Sequence, residues 1–345
     1  MVGISQGVPE PYVLCFEPLF RAYGFGGHAL GRFGKVLPKE GAAESWEVSP
    51  YPPIPSIVAN GPFAGLSLPE VAARWGETLL GADPGGLGNF PFLLKWLDVS
   101  RWLPVHVHPD DEQAKGLDGA DPGKEEAWLI LEAKAGAEVR LGFERSVTAH
   151  EIRSLAREGR VRDVMQRYRV EAGDVVRVPP RTPHAATGIV FLEIQQVSDR
   201  SIFAEPRDVW GHPWPPGRFD AELDRFLAIT RLDPVPSEIS RTVPLASEEG
   251  ALVSLLETRH FRLDRYRRLC ATKREGSLSF RSGPASVTCL ADGVLLEGPK
   301  GVGASLDKGD TVVIPATLAH ARWILLPSRT PAVIDLALGY GPVID

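Results

Sequence analysis

The sequence predicts a mainly β protein: two small barrels built on one plan, with a small helical insertion. Three observations predict it. Glycine and proline are abundant, 35 and 31 of 345 residues, which favours short strands and turns over long helices. The segment Gly173–His184, GDVVRVPPRTPH, reads as a turn, a strand and a proline-rich turn ending on a histidine. It returns as Gly309–His320, GDTVVIPATLAH, and an internal echo of this kind implies a second unit of the same design. The length suits two domains with a sizeable core each. We expect them at 1–235 and 236–345, divided in the proline-rich stretch around Pro234 and Pro236.

Residues 1–60 are largely irregular, but Glu44–Ser49 alternates like a strand before Pro52, Pro53 and Pro55 break it. A helix is expected over 65–81, with Ser67 as cap, early Pro69 and Glu70, and Gly81 at its close. Pro91–Leu97 is an apolar strand carrying one charge, Lys95. Such a lysine either snorkels to solvent or faces a polar cavity. Strands continue from Ala127 to Phe143, and a helical insert is expected over 146–168, capped at Ser146 or Thr148 and broken at Gly159. The chain returns to β near Glu171–Pro180 and again at Ile189–Val197. A last helix is expected over 220–230, and 236–345 reads as strand and turn.

The chemistry concentrates between Leu103 and Trp128. Residues i and i+2 of a strand share a face, so His106 and His108 present both imidazoles on one side. Glu125 and Glu126 follow, and His184 ends the proline-rich turn. Imidazoles with a carboxylate suit a borderline divalent ion such as Zn, Fe, Mn, Co or Ni. The bland alternative is a surface strand with two solvated histidines. The C-terminal echo has Val287-Thr288-Cys289-Leu290 in place of a His-x-His pair, so His320 is expected to be structural and that barrel metal-free. The net charge of −6 argues against a nucleic-acid partner. No run of about 18 apolar residues offers a membrane span. Cys15, Cys270 and Cys289 lack metal-ligand spacing and suit a reducing compartment. With no basic-then-apolar leader in view, a cytoplasmic location is expected.

Gly173–His184 resembles the second motif of the cupin (jelly-roll) barrel, with Arg181 where a glycine is usual. The first motif is present in a long-gap form, Glu126 lying 18 residues after His108. The ordered blocks ESWEVS, FPFLLKWLD, VHVHPDDE, GKEEAW, VPPRTPHA and LEIQQVSD then resemble type I mannose-6-phosphate isomerases (phosphomannose isomerases) over most of the chain. That resemblance implies two cupin barrels with a small helical part, and interconversion of mannose 6-phosphate and fructose 6-phosphate or a related sugar phosphate. It implies one divalent ion, Zn2+, on His106, His108, Glu126 and His184; the first ligand is usually glutamine. It places catalytic lysines at Lys95 and Lys124. The family's active-site arginine falls on Phe203, and the tryptophan usual before its early Gly-Gly is absent from Tyr23-Gly24-Phe25-Gly26-Gly27. Arg207 has the strand parity of residue 203, and a bend at Pro206 would bring it into the site; Arg181 is a second candidate from a loop. Two other readings use the same residues: a non-catalytic bicupin binding a sugar or sugar phosphate, and a three-histidine, one-glutamate metal cupin of oxygenase type.

Overall fold

The computed structural model describes residues 8–81, 89–117, 119, 121–215, 217–236, 238–241, 246–272 and 275–342. The fold is mainly β, with antiparallel sheets. Contacts divide the chain into two units, one of Leu19–Trp46 with Leu93–Val243, the other of Met1–Pro18, Glu47–Phe92 and Pro244–Asp345. This differs from two consecutive segments meeting near 235. The second unit draws on N-terminal segments because Leu14–Cys15 adds as an edge strand, Leu14 opposite Val313 and Cys15 opposite Val312. The short helix Glu77–Leu80 likewise packs on Ala316–Ala319. Such pairings between distant segments leave no local signature in the sequence.

In the first unit the main path of the sheet runs Ile239–Arg241, Asp174–Val178, Glu126–Phe143, His184–Gln195, Leu93–Val99, Glu44–Val48, Leu19–Arg21. Two-residue strands His106–Val107 and Ile202–Phe203 pair with each other, and His106–Val107 also joins the His184 strand. One face buries Leu97, Trp128, Ile130, Val176 and Phe191 as a core. A second cluster gathers Val105, Val107, Ile152, Leu223 and Phe226, fastening two helices to the unit. Those helices are Ala149–Arg157 and Arg218–Ile229.

The second unit sets a six-stranded sheet against a four-stranded one. Val287, Leu336 and Leu338 of the larger meet Leu296, Trp323 and Leu325 of the smaller in one core. The echo motif forms the strand Thr311–Ile314 and then a four-residue helix, Ala316–Ala319, so His320 sits exposed at a helix end rather than opening a strand as His184 does.

Two helical expectations are shortened. The span 65–81 splits at Gly76, whose φ of +51° ends Leu68–Trp75 and lets Glu77–Leu80 restart. The Ser67–Glu70 capping box is as expected. The span 146–168 is helical at Ala149–Arg157 and forms a 3-10 turn at Val161–Val164, but Met165–Tyr168 is a strand. There Tyr168 pairs with Val139 and Arg167 with Arg140, so an unpaired strand edge overrides local propensity.

Arg181 occupies the left-handed region, with φ +70°, where the motif usually has glycine. Its N–H donates to the His108 carbonyl at 2.7 Å, and its own carbonyl accepts from Arg231 at 2.9 Å. A side chain in this conformation costs about 1–2 kcal/mol. Arg181→Gly should therefore be more stable than Arg181→Ala by about 1 kcal/mol in urea melts, since both lose the side chain and only alanine keeps the strain. Equal stabilities would show that the turn is not strained.

Candidate metal centre and its cavity

Strand register brings the three histidines together. His106 lies directly opposite His184 across the ladder, their ring centroids 4.0 Å apart, and His108 stands 4.9 Å from His184. All three are buried. Each turns Nδ1 toward a backbone carbonyl: His106 to Pro104 at 2.8 Å, His108 to Arg200 at 2.7 Å, His184 to Thr182 at 3.0 Å. A carbonyl can only accept, so each Nδ1 carries the proton and each Nε2 offers a lone pair. One donor atom from each ring lies within 4.8 Å of the others. Burial, then the neighbouring imidazoles, holds His106 well below the ordinary histidine range. Burial and the Lys124 ammonium push His108 down to about 3. Both are therefore neutral at physiological pH, the form that binds a metal.

Glu126 completes the set. It is 1% exposed and begins the strand next to His184–Gln195. Burial alone would raise its pKa, but neighbouring positive charge, the Lys124 ammonium first, outweighs burial and holds the carboxyl well below the usual range. Its oxygens lie 3.2 Å from His108 Nε2 and 3.2 Å from His184 Nε2. With Nδ1 protonated, those contacts set lone pairs against an anion, which is tolerable only with a cation among them. His184 Nε2 has no hydrogen-bond partner despite its burial. The Lys124 ammonium bonds Glu126 and approaches His108 Nε2 at 3.3 Å. The donor set thus fits a divalent ion: three imidazoles with fixed tautomers, one anion and an orphaned nitrogen.

A cavity of about 450 Å³ opens on this group, and Lys95, Lys124, His106 and Glu126 all line it. Lys95 is 2% exposed and lies 3.8 Å from Glu44, 3.7 Å from Glu193 and 3.5 Å from Asp199. Its nitrogen sits 4.4 Å over the Trp46 ring. Burial works against its charge, but Glu44, Asp199 and Glu193 outweigh burial and raise its pKa. Lys95 is a fixed cation, then, and not the base with lowered pKa that chemistry of this kind can employ. Two tryptophans repeat one device. Trp46 donates its indole N–H to Glu44 at 2.7 Å, and Trp128 donates to Glu126 at 3.0 Å. Each stands two residues after its carboxylate and so on the same strand face.

Glu193 lies directly opposite Lys95 in the sheet. One oxygen accepts from Trp128 at 3.0 Å, and the other has no hydrogen-bond partner. Burial, then the nearby Glu126, pushes its carboxyl up to about 7. Its sequence signal was a lone glutamate in the apolar run IVFLEIQQV, the mirror of Lys95 in PFLLKWL.

Asp199, Ser201 and Phe203 line the cavity together, as strand parity requires. The Phe203 ring lies 5.6 Å from that of His106. Arg207 does not come in. It is exposed, bonded through Nη1 to the Gly211 carbonyl at 2.9 Å, and outside the cavity lining. The chain after Pro206 turns into a bridge between Arg207 and Pro213 rather than back toward the histidines. Arg181 also stays out, its Nη1 3.8 Å from Asp110. The arginines that line the cavity are Arg218 and Arg225.

Two measurements follow from this geometry. Metal analysis should find one divalent ion per chain, bound more than about 100-fold more weakly when His108→Ala and His184→Ala are combined, beyond the usual cost of an outer-shell partner; undiminished ion content in that variant rejects the centre. Lys95→Met should lower stability by about 3–5 kcal/mol, because it strands buried carboxylates. A melt unchanged from wild type would mean those carboxylates do not depend on Lys95.

Comparison with known proteins agrees with the motifs. Residues 16–127 match the family model described as phosphomannose isomerase type I, catalytic domain. A mannose-6-phosphate isomerase of Streptococcus mutans is 38% identical over 177 residues, covering 51% of this chain and 54% of that protein. Mannose-6-phosphate isomerase ManA of Bacillus subtilis is 35% identical over 187 residues, 54% of this chain and 58% of its own. The chain thus spans a little over half the length of the curated relatives it matches. The crystal structure of the mannose 6-phosphate isomerase from Bacillus subtilis superposes with a TM-score of 0.79 at 24% identity, covering 95% of this chain and 99% of that one. At that identity the likeness speaks for the fold. The resemblance read from the motifs therefore holds: this chain is similar to type I phosphomannose isomerases in the sequence of residues 16–127 and shares the fold of a mannose 6-phosphate isomerase.

Proposed function

We propose that the chain is a metal-dependent aldose–ketose isomerase interconverting mannose 6-phosphate and fructose 6-phosphate or a related sugar phosphate. One observation carries the reading: three buried histidines group their ring nitrogens beside a cavity lined by His106, Glu126 and the two buried lysines. His106, His108, Glu126 and His184 would hold the ion, Zn2+ in our reading, and it would supply polarisation of the substrate carbonyl. The protein's own groups then divide the remaining work. Glu193, poised near neutrality beside that carboxylate, is suited to take a proton from C2 and return it to C1. Lys95, held charged by three carboxylates, can stabilise the oxygen of the enediol as negative charge develops there. Lys124 bridges Glu126 and His108 and can donate to a substrate hydroxyl. We assign no role in the reaction to Arg207. We take the partner to be a small molecule and not nucleic acid, and the location to be cytoplasmic. No described helix is long and apolar enough to cross a membrane.

Phe203 favours a second reading, sugar-phosphate binding without turnover, because an aromatic ring stands beside His106 where the family has its arginine. A coupled isomerase assay on protein reconstituted separately with Zn, Mn, Co and Fe separates the two. Turnover of mannose 6-phosphate is expected; a folded, metal-loaded protein that binds the sugar phosphate without turnover would leave the second reading. Oxygen uptake by the iron form would point instead to oxygenase chemistry. Within the isomerase reading, Glu193→Gln should lower kcat by about 10²–10⁴-fold with metal content unchanged. Wild-type kcat/KM should rise with pH up to about 7 as this carboxyl loses its proton, and that limb should vanish in the variant. A wild-type rate in Glu193→Gln excludes it as the shuttle.

A further inference from the structure

The cavity is strongly polarised along its depth. Its base holds the buried carboxylates Glu44, Glu126 and Glu193, with Asp199 nearby, against the two ammoniums of Lys95 and Lys124. A divalent ion would bring that group to neutrality, leaving no positive excess for an anionic ligand. A phosphate placed there would face carboxylates at short range in a poorly screened site. The mouth is different. Arg218 and Arg225 are exposed, line the same cavity, and stand on one helix, Arg218–Ile229. Seven residues make nearly two full turns, so the two share a helix face, with Cα atoms about 10.5 Å apart along the axis. Glu222 lies on that face between them, but it is turned to the backbone, accepting the Phe203 N–H at 3.1 Å. Asp220 and Asp224, on other faces of the helix, pair with Arg157 and Arg153.

We infer that Arg218 and Arg225 are the phosphate anchor of this cavity, replacing from a helix the arginine that the strand position Phe203 has lost. This rests on the sugar-phosphate reading above. It fixes the direction of the substrate: phosphate at the mouth between two guanidiniums, carbonyl end at the histidines. Arginine is the side chain suited to this task, since its planar fork meets two phosphate oxygens at once. Phe203 then serves as an apolar wall between the two ends. It keeps charge off the middle of the cavity, where an arginine would draw the phosphate inward.

The test compares mannitol 6-phosphate with mannitol, neither of which can be isomerised, by calorimetry on the zinc-loaded full chain. The wild type should bind the phosphorylated ligand about 100-fold more tightly. Arg218→Met and Arg225→Met should each cut that ratio about 10-fold, and the pair should abolish it. Arg157→Met, which removes the pair with Asp220 on another face, should leave the ratio at its wild-type value. A double variant that keeps the preference, or a wild type that has none, overturns the anchor. Turnover of mannose 6-phosphate by the same preparations keeps the two ideas apart. A wild type that isomerises it while the double variant retains the ratio loses the anchor alone. A wild type whose preference is lost in the double variant, but which never turns the sugar over, keeps the anchor and loses the isomerase reading.

Discussion

A carboxylate removed from water has to be met by cations or donors, or it takes up a proton. Glu126 is 1% exposed and stays ionised, and that one constraint shapes everything around it. It fixes Lys124 against one oxygen and the Trp128 indole against the other. The imidazole tautomers are set from the other side, by the backbone carbonyls that accept from each Nδ1. The neighbouring Glu193 feels the same field with the opposite result: already beside an anion, it resists becoming a second one. Two carboxylates on adjoining strands thus reach different protonation behaviour from environment alone.

The register of the central strands is what makes these neighbours. Glu126 lies opposite Gln195, Trp128 opposite Glu193, and Lys95 opposite Glu193 on the other side. A slip of one residue would turn every one of these side chains to the opposite face of the sheet. The apolar residues between them hold the register, since Leu94, Leu129, Leu192 and Ile194 point to the opposite face and are buried there. Packing on one face therefore specifies chemistry on the other.

Much of this was legible in the sequence, and the remainder was hidden for identifiable reasons. His106 and His108 follow from strand parity alone. Glu125, Glu126 and His184 stood out as further donors, but choosing Glu126 needed the resemblance to a known family, because a gap of 18 residues carries no spacing signal. Lys95 stood out as a charge in an apolar run, and Glu193 bore the same signature in the strand that pairs with it. Arg207 needed the chain to bend back toward the site at Pro206, but the strand stops at Phe203 and the chain folds into its own small turn. Arg218 and Arg225 were out of reach. Which face of a helix meets a cavity is decided by the burial of Leu223 and Phe226 against distant segments. The same non-local pairing turned Met165–Tyr168 from helix to strand.

The turn at Arg181 bears on how the histidine group is held. Its backbone bond to the His108 carbonyl joins the two histidine motifs, which are otherwise separated by most of the sheet's sequence. The rings themselves are pinned at Nδ1, so none can swing away by rotating a side chain without breaking a buried hydrogen bond. Ligand nitrogens held in this way keep their geometry whether or not an ion is bound, so the group is preorganised by backbone and not by the ion. A single left-handed residue thus ties the placement of one histidine to the turn that carries another.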